Sequence, residues 1–522
     1  MSRKLGAVGG GLSALALAVG LSSGCGSDDP AKAVPDGNEG GVGGDESGLG
    51  GRGPLGGGDD AGGTNGEGGA AAAGGDASAA AGTSMGGAGE VVNGCDAPTG
   101  PGTDVTAGIT ADTMWTFEGS PYRVAATTYL TATLTLEPCV VVELAADAGI
   151  LIGNDPEVGK LIAHGDTDEN AAGQTVQREI YFRRLVEDEP WGSLTVDPTG
   201  SIDLELVRLD GGGSFASEQS GGGTVLAYGP DPQGDAHPSV MLKSVSIANS
   251  ETYAVNLQAR AAFAPGSDGL TVEGSGAETS YPLYLEAGVA FSLPTNLRLD
   301  GNERDEVLIH PFARVANDTF PARGVPLVLD SQLYVATPID EPDTATLTIE
   351  AGVELRLGVG SGSGILFGAD DTHPGTLQAV GTASAPIWFH SADDGAAPGA
   401  WMGLYFAHTT RDGNRLEHAI IEDAGAPSGA QGHGCGPGEN DASVLVLSDM
   451  GVEPFIRNCE FKNAGGDTQV LLGWTGSTDQ DADASAFLAT NTFANAPSCR
   501  VSMPGAASPD PICPGDSAPD CK

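Results

Sequence analysis

Two long stretches of this chain repeat the same series of short apolar blocks in the same order. The first stretch begins at residues 134–140 (LTLEPCV) and the second at residues 347–353 (LTIEAGV). Turn lengths differ between the copies, whereas positions expected to face inward stay mostly apolar. Stacked coils tolerate such differences, because each coil contacts only its neighbours. The repetition therefore predicts a solenoid with an internal duplication over about 122–213 and 328–425.

Many blocks alternate apolar and polar residues, as in 133–136 (TLTL) and 346–349 (TLTI). Alternation indicates β-strands, and no convincing amphipathic helical pattern competes with it. A sandwich, a propeller or a β-solenoid would accommodate many short strands, and the repetition favours the solenoid. We expect about 15 to 18 coils of about 22 residues, with matching residues of both copies facing the same way around the axis. The inward residues should be Leu136, Val142, Ile150 and Ile152, and their counterparts Ile349, Leu355, Ile365 and Phe367.

The second copy carries the motifs of a known family. Residues 385–391 (APIWFHS), 398–404 (PGAWMGL) and 416–425 (LEHAIIEDAG) closely resemble exported bacterial right-handed parallel β-helix repeat proteins, which include many surface lipoproteins. The resemblance covers most of 122–513 and implies an all-β fold, the right-handed parallel β-helix. That family shares its fold with pectate lyases and polygalacturonases, but its motifs specify no activity.

The amino-terminal region resembles an export signal followed by a lipid-attachment cysteine. Arg3 and Lys4 precede a glycine-rich apolar run over 5–21, which is shorter than a membrane span. Residues 22–25 (SSGC) resemble the lipobox of bacterial lipoproteins, which implies a signal peptide over 1–24 and lipid on Cys25. The alternative is an ordinary signal peptide with an incidental cysteine. Residues 25–94 are mainly Gly, Ala, Ser and acids, which predicts a flexible linker.

The charge balance limits the partners that such a chain can have. Asp and Glu number 70 against 23 Lys and Arg, which gives a formal net charge of -47. This charge repels nucleic acid and anionic lipid, so we expect no nucleic-acid partner and membrane contact only through the lipid anchor. No nucleotide-binding or cofactor-binding motif stands in a convincing context, and we predict no cofactor.

An exported chain folds in an oxidising compartment, so its cysteines should form disulfides where geometry permits. The first expected pair is Cys499 with Cys513, because the two are close in sequence and flank a Pro-rich turn. The second is Cys435 with Cys459, and Cys521 competes for Cys499 or Cys513. We expect the parallel β-helix to extend over 95–522, with a first cap at 95–114 and a Cys-containing cap after Cys499.

Three groups of residues are candidates for chemistry, and each has a simpler structural interpretation. Acidic residues near glycines are favoured in turns for backbone reasons alone. Histidines in successive blocks of the second copy would suit zinc if they stacked, but the first copy offers no matching set. The two tryptophans could bind sugar, yet their repeated position favours filling of the coil. The candidates are Asp370, Asp371, Asp393, Asp394, Asp479, Asp481, Asp483, His390, His408, His418, Trp191 and Trp401.

Two functional classes follow from these observations. The first is a surface-anchored structural or binding protein without catalysis, located at the bacterial outer membrane or cell surface, with polysaccharide or extracellular matrix as partner. The alternative is a polysaccharide lyase or glycoside hydrolase on the same fold. A cleft lined by converging acids or basic residues would favour the enzyme, and a flat acidic side would favour binding. The sequence assigns no catalytic, cofactor-binding or metal-binding residue.

Overall fold

A computed structural model shows how these blocks are arranged in three dimensions. The predicted signal peptide, Cys25, most of the predicted linker, Cys435 and Cys513 lie outside the residues that it describes. The described residues are 92–522 except 215–221, 312–313, 338–344, 361, 370–371, 407–412, 427–440, 447–453, 467, 473–483, 505–518 and 522.

The described residues form short strands, one α-helix, α1 (Ala484–Thr490), and two 3₁₀ turns, Phe117–Gly119 and Ala290–Ser292. The strands up to residue 300 are β1 (Val92–Asn93), β2 (Thr103–Val105), β3 (Thr113–Trp115), β4 (Tyr122–Val124), β5 (Thr128–Leu130), β6 (Thr133–Leu136), β7 (Val141–Leu144), β8 (Ile150–Ile152), β9 (Gly159–His164), β10 (Asp166–Glu169), β11 (Thr175–Arg178), β12 (Ile180–Arg184), β13 (Leu194–Val196), β14 (Gly200–Glu205), β15 (Val207–Asp210), β16 (Val225–Tyr228), β17 (His237–Lys243), β18 (Ser246–Ala248), β19 (Val255–Gln258), β20 (Ala261–Phe263), β21 (Thr271–Glu273), β22 (Leu283–Glu286) and β23 (Arg298–Asp300). The later strands are β24 (Val307–His310), β25 (Asn317–Phe320), β26 (Leu327–Leu329), β27 (Gln332–Val335), β28 (Ala345–Ile349), β29 (Glu354–Leu357), β30 (Gly364–Phe367), β31 (Gly375–Val380), β32 (Ile387–Ser391), β33 (Leu404–Phe406), β34 (Arg415–Glu417), β35 (Ala419–Glu422), β36 (Val444–Val446), β37 (Ile456–Arg457), β38 (Glu460–Lys462), β39 (Thr468–Leu472), β40 (Thr492–Ala494), β41 (Cys499–Pro504) and β42 (Pro519–Cys521).

These strands build a parallel β-helix, as the sequence predicted. Successive coils add strands to the same sheets, and strands from neighbouring coils pair in parallel. A sheet of 13 strands, the long sheet, runs from β5 to β40. Sheets of eight and six strands complete the coils before β24, and sheets of seven and five strands complete the later coils. The antiparallel pairs in the described part are the hairpin β10–β11 and the terminal pair β41–β42.

The predicted inward residues are all buried. Leu136, Val142, Ile150 and Ile152 lie in the core, and so do Ile349, Leu355, Ile365 and Phe367. Inward residues also stack from coil to coil, since Leu355, Phe389 and Ile421 lie opposite one another on consecutive strands of the long sheet. Each such side chain contributes about 1.5–3 kcal/mol through burial. The apolar alternation of the sequence therefore forms a continuous core along the coils.

Two expectations about the coils are wrong. The long sheet has 13 strands between Thr128 and Ala494, so a coil takes about 30 residues rather than 22, because insertions in the turns lengthen it. The copies keep the same strand order but not the same sheets. Val142 belongs to the eight-stranded sheet, whereas its counterpart Leu355 belongs to the long sheet. The offset arises between the copies, where the eight-stranded sheet ends at β23 and the seven-stranded sheet begins with β27.

Asparagines occupy sharp corners of the coils, as the sequence indicated. Asn249, Asn463 and Asn495 have φ angles of 55°, 53° and 51°, in the left-handed region that Asn tolerates better than most residues. The amide of Asn495 donates a 2.9 Å hydrogen bond to Oδ1 of Asn463 in the preceding coil. The corner asparagines therefore link neighbouring coils through their side chains.

The disulfides differ from the expected ones. Cys499 pairs with Cys521 rather than Cys513, because β42 returns antiparallel to β41 and leaves the two Cα atoms 5.5 Å apart. Cys459 is buried and free, and its thiol donates to the carbonyls of Leu416 and Arg457, so the expected pair with Cys435 is also wrong. The other disulfide among the described residues, Cys95–Cys139, spans 44 residues at the amino-terminal end of the β-helix and contributes about 4 kcal/mol in the chain-entropy account.

Candidate functional site

The two tryptophans at matching positions have a structural role. Trp191 and Trp401 are fully buried. Each indole Nε1 donates a 2.8 Å hydrogen bond to a backbone carbonyl, that of Asp210 for Trp191 and that of Glu422 for Trp401. A buried ring cannot serve as a platform for sugar. Asp210 and Glu422 occupy matching positions of the repeat, so the two copies have the same local geometry around the tryptophan.

Two of the other described candidates, Asp393 and His418, do not join a common site with His390. Asp393 lies in an exposed turn and its Oδ1 accepts the N–H of Gly395 at 3.0 Å, which is a backbone role. His390 lies on β32, whereas His418 occupies a left-handed corner with a φ of 51° between β34 and β35, so the two imidazoles do not stack. In the described part, no group of three His, Cys, Asp or Glu could hold a metal ion. Asp370, Asp371, Asp479, Asp481, Asp483 and His408 lie outside the described residues.

A different set of side chains does come together, on the outer face of the long sheet. Tyr284, Leu308, Val328, Arg356 and His390 lie opposite one another on β22, β24, β26, β29 and β32. Leu308 and Val328 are buried, although their strand neighbours fill the inner core. They form an apolar floor between an aromatic group and an ionic group. We call this face from β22 to β35, with the side chains flanking it, the outer stripe.

The aromatic group begins the outer stripe. The rings of Tyr253 and Tyr284 have centroids 5.5 Å apart, and those of Tyr284 and His310 are 5.8 Å apart. His310 Nδ1 lies 2.8 Å from Oδ2 of Asp330, and this hydrogen bond raises the pKa of the imidazole. Burial raises the pKa of the Tyr253 and Tyr284 phenols, so both stay neutral and can donate hydrogen bonds.

Arg356 is the centre of the ionic group. Its guanidinium reaches Glu306 at 2.7 Å, Glu354 at 2.8 Å and Asp394 at 3.2 Å. Burial opposes its charge, but the hydrogen bond to Glu354 and the nearby carboxylates raise the pKa of Arg356 overall. Glu306 is itself buried and also lies 3.4 Å from Arg304. Three acids therefore converge on one arginine that keeps its proton.

Trp388 ends the outer stripe at the far side of Arg356. Its ring stacks on His390 with centroids 3.9 Å apart, and 37% of the residue remains exposed. Its Nε1 donates to Oε2 of Glu422 at 3.2 Å, and Asn463 donates to the other oxygen at 3.3 Å. His390 Nε2 lies 3.1 Å from Glu354, which connects the indole to the ionic group.

This arrangement suits recognition better than catalysis. Each acid at Arg356 accepts a hydrogen bond from the guanidinium, whereas the general acid of a glycosidase must carry a proton. Arg356 is held charged, so it cannot act as the base of a lyase. Half-exposed rings beside hydrogen-bonding groups are instead what a ligand-binding surface requires.

Sequence reasoning missed most of the outer stripe. Tyr284, His310 and Arg356 come from three different coils, and Arg356 is 72 positions from Tyr284. The available signal was that the outward-facing positions of each strand carry polar or aromatic residues. Assigning such positions from different strands to neighbouring places on one face requires the number of residues in each coil, and this number varies. Of the sequence candidates, His390 and Asp394 belong to the outer stripe.

Comparison of this chain with protein-family models, with curated proteins and with solved structures finds no match. Inferences about this chain therefore rest on its parallel β-helix fold and on the outer stripe. Within the part of the chain that the structure describes, no helix has the length and apolar character needed to cross a bilayer.

Proposed function

We propose that this chain is an exported, surface-anchored β-helix protein that binds polysaccharide along the outer stripe without cleaving it. The observation that carries the proposal is the placement of Tyr284, His310 and Trp388 on one face of one sheet. Neighbouring strands of a sheet lie about 4.8 Å apart, so the stripe presents binding groups repeatedly along the coil axis. A polymer with repeating units suits such a surface better than a compact small molecule.

The composition of the outer stripe supports a sugar polymer as ligand. Tyrosine and tryptophan combine a flat apolar ring with a hydrogen-bonding group, which matches the apolar faces and hydroxyl rims of sugar rings. The acidic net charge of -47 disfavours nucleic acid as a competing polymer. The Trp388 ring is held in place before ligand arrives, by stacking on His390 and by its hydrogen bond to Glu422, which reduces the entropy lost on binding.

A panel of polysaccharides scored for both binding and degradation tests the proposal. We expect binding to at least one polymer, a loss of about tenfold or more in Trp388→Ala and Tyr284→Ala, and no release of sugar. Tyr129→Ala is the matched control, because Tyr129 is 51% exposed on the same sheet but lies at its other end, on β5. Equal effects of all three substitutions, or no binding to any polymer, would contradict the proposal.

Polysaccharide cleavage is the second candidate, because Glu306, Glu354 and Asp394 lie together around Arg356, although each of them is hydrogen-bonded to its guanidinium. If it is correct, the panel will show release of reducing or unsaturated sugar. That release should disappear in Glu354→Gln, while binding survives. No release from any polymer excludes this candidate for the polymers tested.

Anchoring through Cys25 is part of the proposal and has its own test. The basis is the resemblance of 22–25 to a lipobox and the Gly/Ala-rich composition of 25–94. Mass spectrometry of the mature protein should find a lipid-modified Cys25 as the first residue. A mature terminus beyond Cys25 without lipid would exclude the anchor and leave the binding proposal intact.

A further inference from the structure

The two ends of the outer stripe carry separate ring surfaces that follow the coil axis. Tyr284 on β22 lies in line with His390 on β32, and the Trp388 ring stacks on His390. Four successive strand pairings connect β22 to β32. Neighbouring strands are about 4.8 Å apart, so the two ends are about 19 Å apart along the axis. Tyr284 and Trp388 are both partly exposed, and a ligand that contacts both must be at least that long.

Hydrogen-bonding groups along this line are not used by the protein itself. Within the part of the chain that the structure describes, the phenol oxygens of Tyr253 and Tyr284 make no hydrogen bond, although a buried tyrosine usually has a partner. Arg356 donates from Nε and Nη1 to carboxylates, and its Nη2 has no partner among the described residues. These O–H and N–H groups are therefore free to bind a ligand that runs from Tyr284 toward Trp388.

The cations of the outer stripe are already engaged by carboxylates. Arg304 and Arg356 both reach Glu306, at 3.4 Å and 2.7 Å, and His310 lies 2.8 Å from Asp330. An acidic polymer would need unpaired cations for its carboxylate or sulfate groups, and it would be repelled by the net charge of -47. A ligand without charge needs no such partners, so the stripe favours a neutral polysaccharide.

The spacing of the strands favours an extended polymer. Successive residues of an extended, β-linked polysaccharide are about as far apart as neighbouring strands, about 5 Å. One sugar residue then lies over each strand, and about five residues reach from Tyr284 to Trp388. An α-linked chain that winds into a helix advances less per residue and curves, so it cannot follow a straight line of binding groups.

We propose that one extended, neutral, β-linked polysaccharide chain bridges the two ring-bearing ends of the outer stripe, with its long axis parallel to the coil axis. This inference rests on the proposed function and narrows its ligand class. Once a chain is bound at Tyr284, its contact with Trp388 is intramolecular, and the affinity of a chain long enough to reach both ends therefore increases sharply. Shorter chains bind at one end only.

A series of oligosaccharides of increasing length tests the bridging. The probes are cellohexaose, mannohexaose and xylohexaose, together with the shorter and longer members of each series. Calorimetry with the full mature chain should show at least one hexaose binding about 100-fold more tightly than its tetraose, with little further gain for the octaose. Maltohexaose, which is α-linked, and hexagalacturonate, which is acidic, should bind at least about tenfold more weakly than that hexaose. Because the ligand is neutral, its affinity should not change with salt.

Substitutions at the two ends show whether one chain contacts both. Trp388→Ala should lower the affinity for the hexaose to about that for the tetraose, because only the Tyr284 end remains, and Tyr284→Ala should do the same from the other end. Tyr129→Ala is the matched control and should leave the difference between hexaose and tetraose unchanged, since Tyr129 is exposed on β5, outside the outer stripe. The length series needs only the wild-type chain, so it tests the proposal even if Tyr284→Ala does not fold.

The outcomes separate this inference from the proposed function. An affinity that increases evenly with each added sugar residue, or maltohexaose binding as tightly as the β-linked hexaoses, would overturn the bridging and leave polysaccharide binding in place. Binding of another polymer of the panel without binding of any neutral β-linked hexaose would also overturn it. Failure of every polymer to bind would overturn the proposed function as well.

Discussion

Asp318 should be among the residues whose loss destabilises the β-helix most, and the effect should depend on pH. Its carboxylate is buried on β25 and accepts the N–H groups of Gly288 at 2.7 Å, Phe291 at 3.1 Å and Ala290 at 3.4 Å. These donors belong to the 3₁₀ turn Ala290–Ser292 and the residues just before it, one coil earlier. The side chain therefore joins two coils where the sheets change between the copies.

The magnitude follows from the donors left without an acceptor. A buried unsatisfied N–H costs about 1–3 kcal/mol, so Asp318→Ala should remove about 5 kcal/mol from the free energy of unfolding at pH 4. Burial raises the pKa of Asp318 from 3.8 to about 6, against the effect of its backbone hydrogen bonds. Because the pKa of Asp318 is higher in the folded protein than in the unfolded chain, its contribution to the free energy of unfolding decreases as the pH rises from about 4 through 6. Two pKa units correspond to about 3 kcal/mol, so the penalty should fall to about 2 kcal/mol at pH 7.

Urea unfolding at pH 4, 5, 6 and 7, followed by the fluorescence of the five tryptophans, of which Trp191 and Trp401 are fully buried, measures this difference. Hydrogen exchange of a peptide over 286–293 should report the same loss locally, since it contains the three donors. Asp300→Asn is the control, because Asp300 is exposed and should change stability by less than about 0.5 kcal/mol. A penalty that is equal at all four pH values, or below about 1 kcal/mol at pH 4, would refute the reasoning.

Three further predictions concern single side chains. Trp401→Phe should lower the free energy of unfolding by about 2–3 kcal/mol, because it leaves the Glu422 carbonyl unpaired and opens a cavity. Denaturation of this variant and of Trp191→Phe should give similar losses, and unequal losses would contradict the shared geometry of the two copies. NMR titration should place the pKa of His310 above 6.5 and return it toward 6.5 in Asp330→Asn; no change in that variant would disprove the role of Asp330. Non-reducing peptide mapping should link Cys499 to Cys521. Burial raises the pKa of the Cys459 thiol to about 12, so Cys459 should react with alkylating reagents only after denaturation. Rapid alkylation in the native protein would show that Cys459 is not buried.

The sequence determined the fold class because the relevant signals are local. Alternation along a strand identified Leu136 and Ile349 as inward residues without any knowledge of their neighbours. Corner asparagines such as Asn463 were equally visible, since a left-handed φ is a property of one residue. Local patterns of this kind are preserved when a turn lengthens, which is why the β-helix was predicted although its coil length was not.

The candidate site required information that local patterns do not contain. Tyr284 and Arg356 lie in line on one face because three successive strand pairs, β22–β24, β24–β26 and β26–β29, keep their register. A change in the length of one turn would move Arg356 to a different coil. The terminal disulfide was missed for a related reason. Sequence proximity favoured Cys513, whereas the reversal of direction at β42 brought Cys521 beside Cys499. Contacts that depend on register or on chain reversal follow from the assembled structure.

The Cys95–Cys139 bond determines how the β-helix carries tension. A pull on the chain before residue 95 passes directly through the bond to Cys139, so the residues between them bear none of the load. Those residues include β2 and β3, which pair on one side only and would otherwise detach first. Reduction of the bond would place the enclosed segment in the load path and release up to about 150 Å of extra length at about 3.5 Å per residue. If the protein is anchored at a surface through its amino-terminal segment, as proposed above, this one covalent bond would keep the end coil folded while the molecule is under shear.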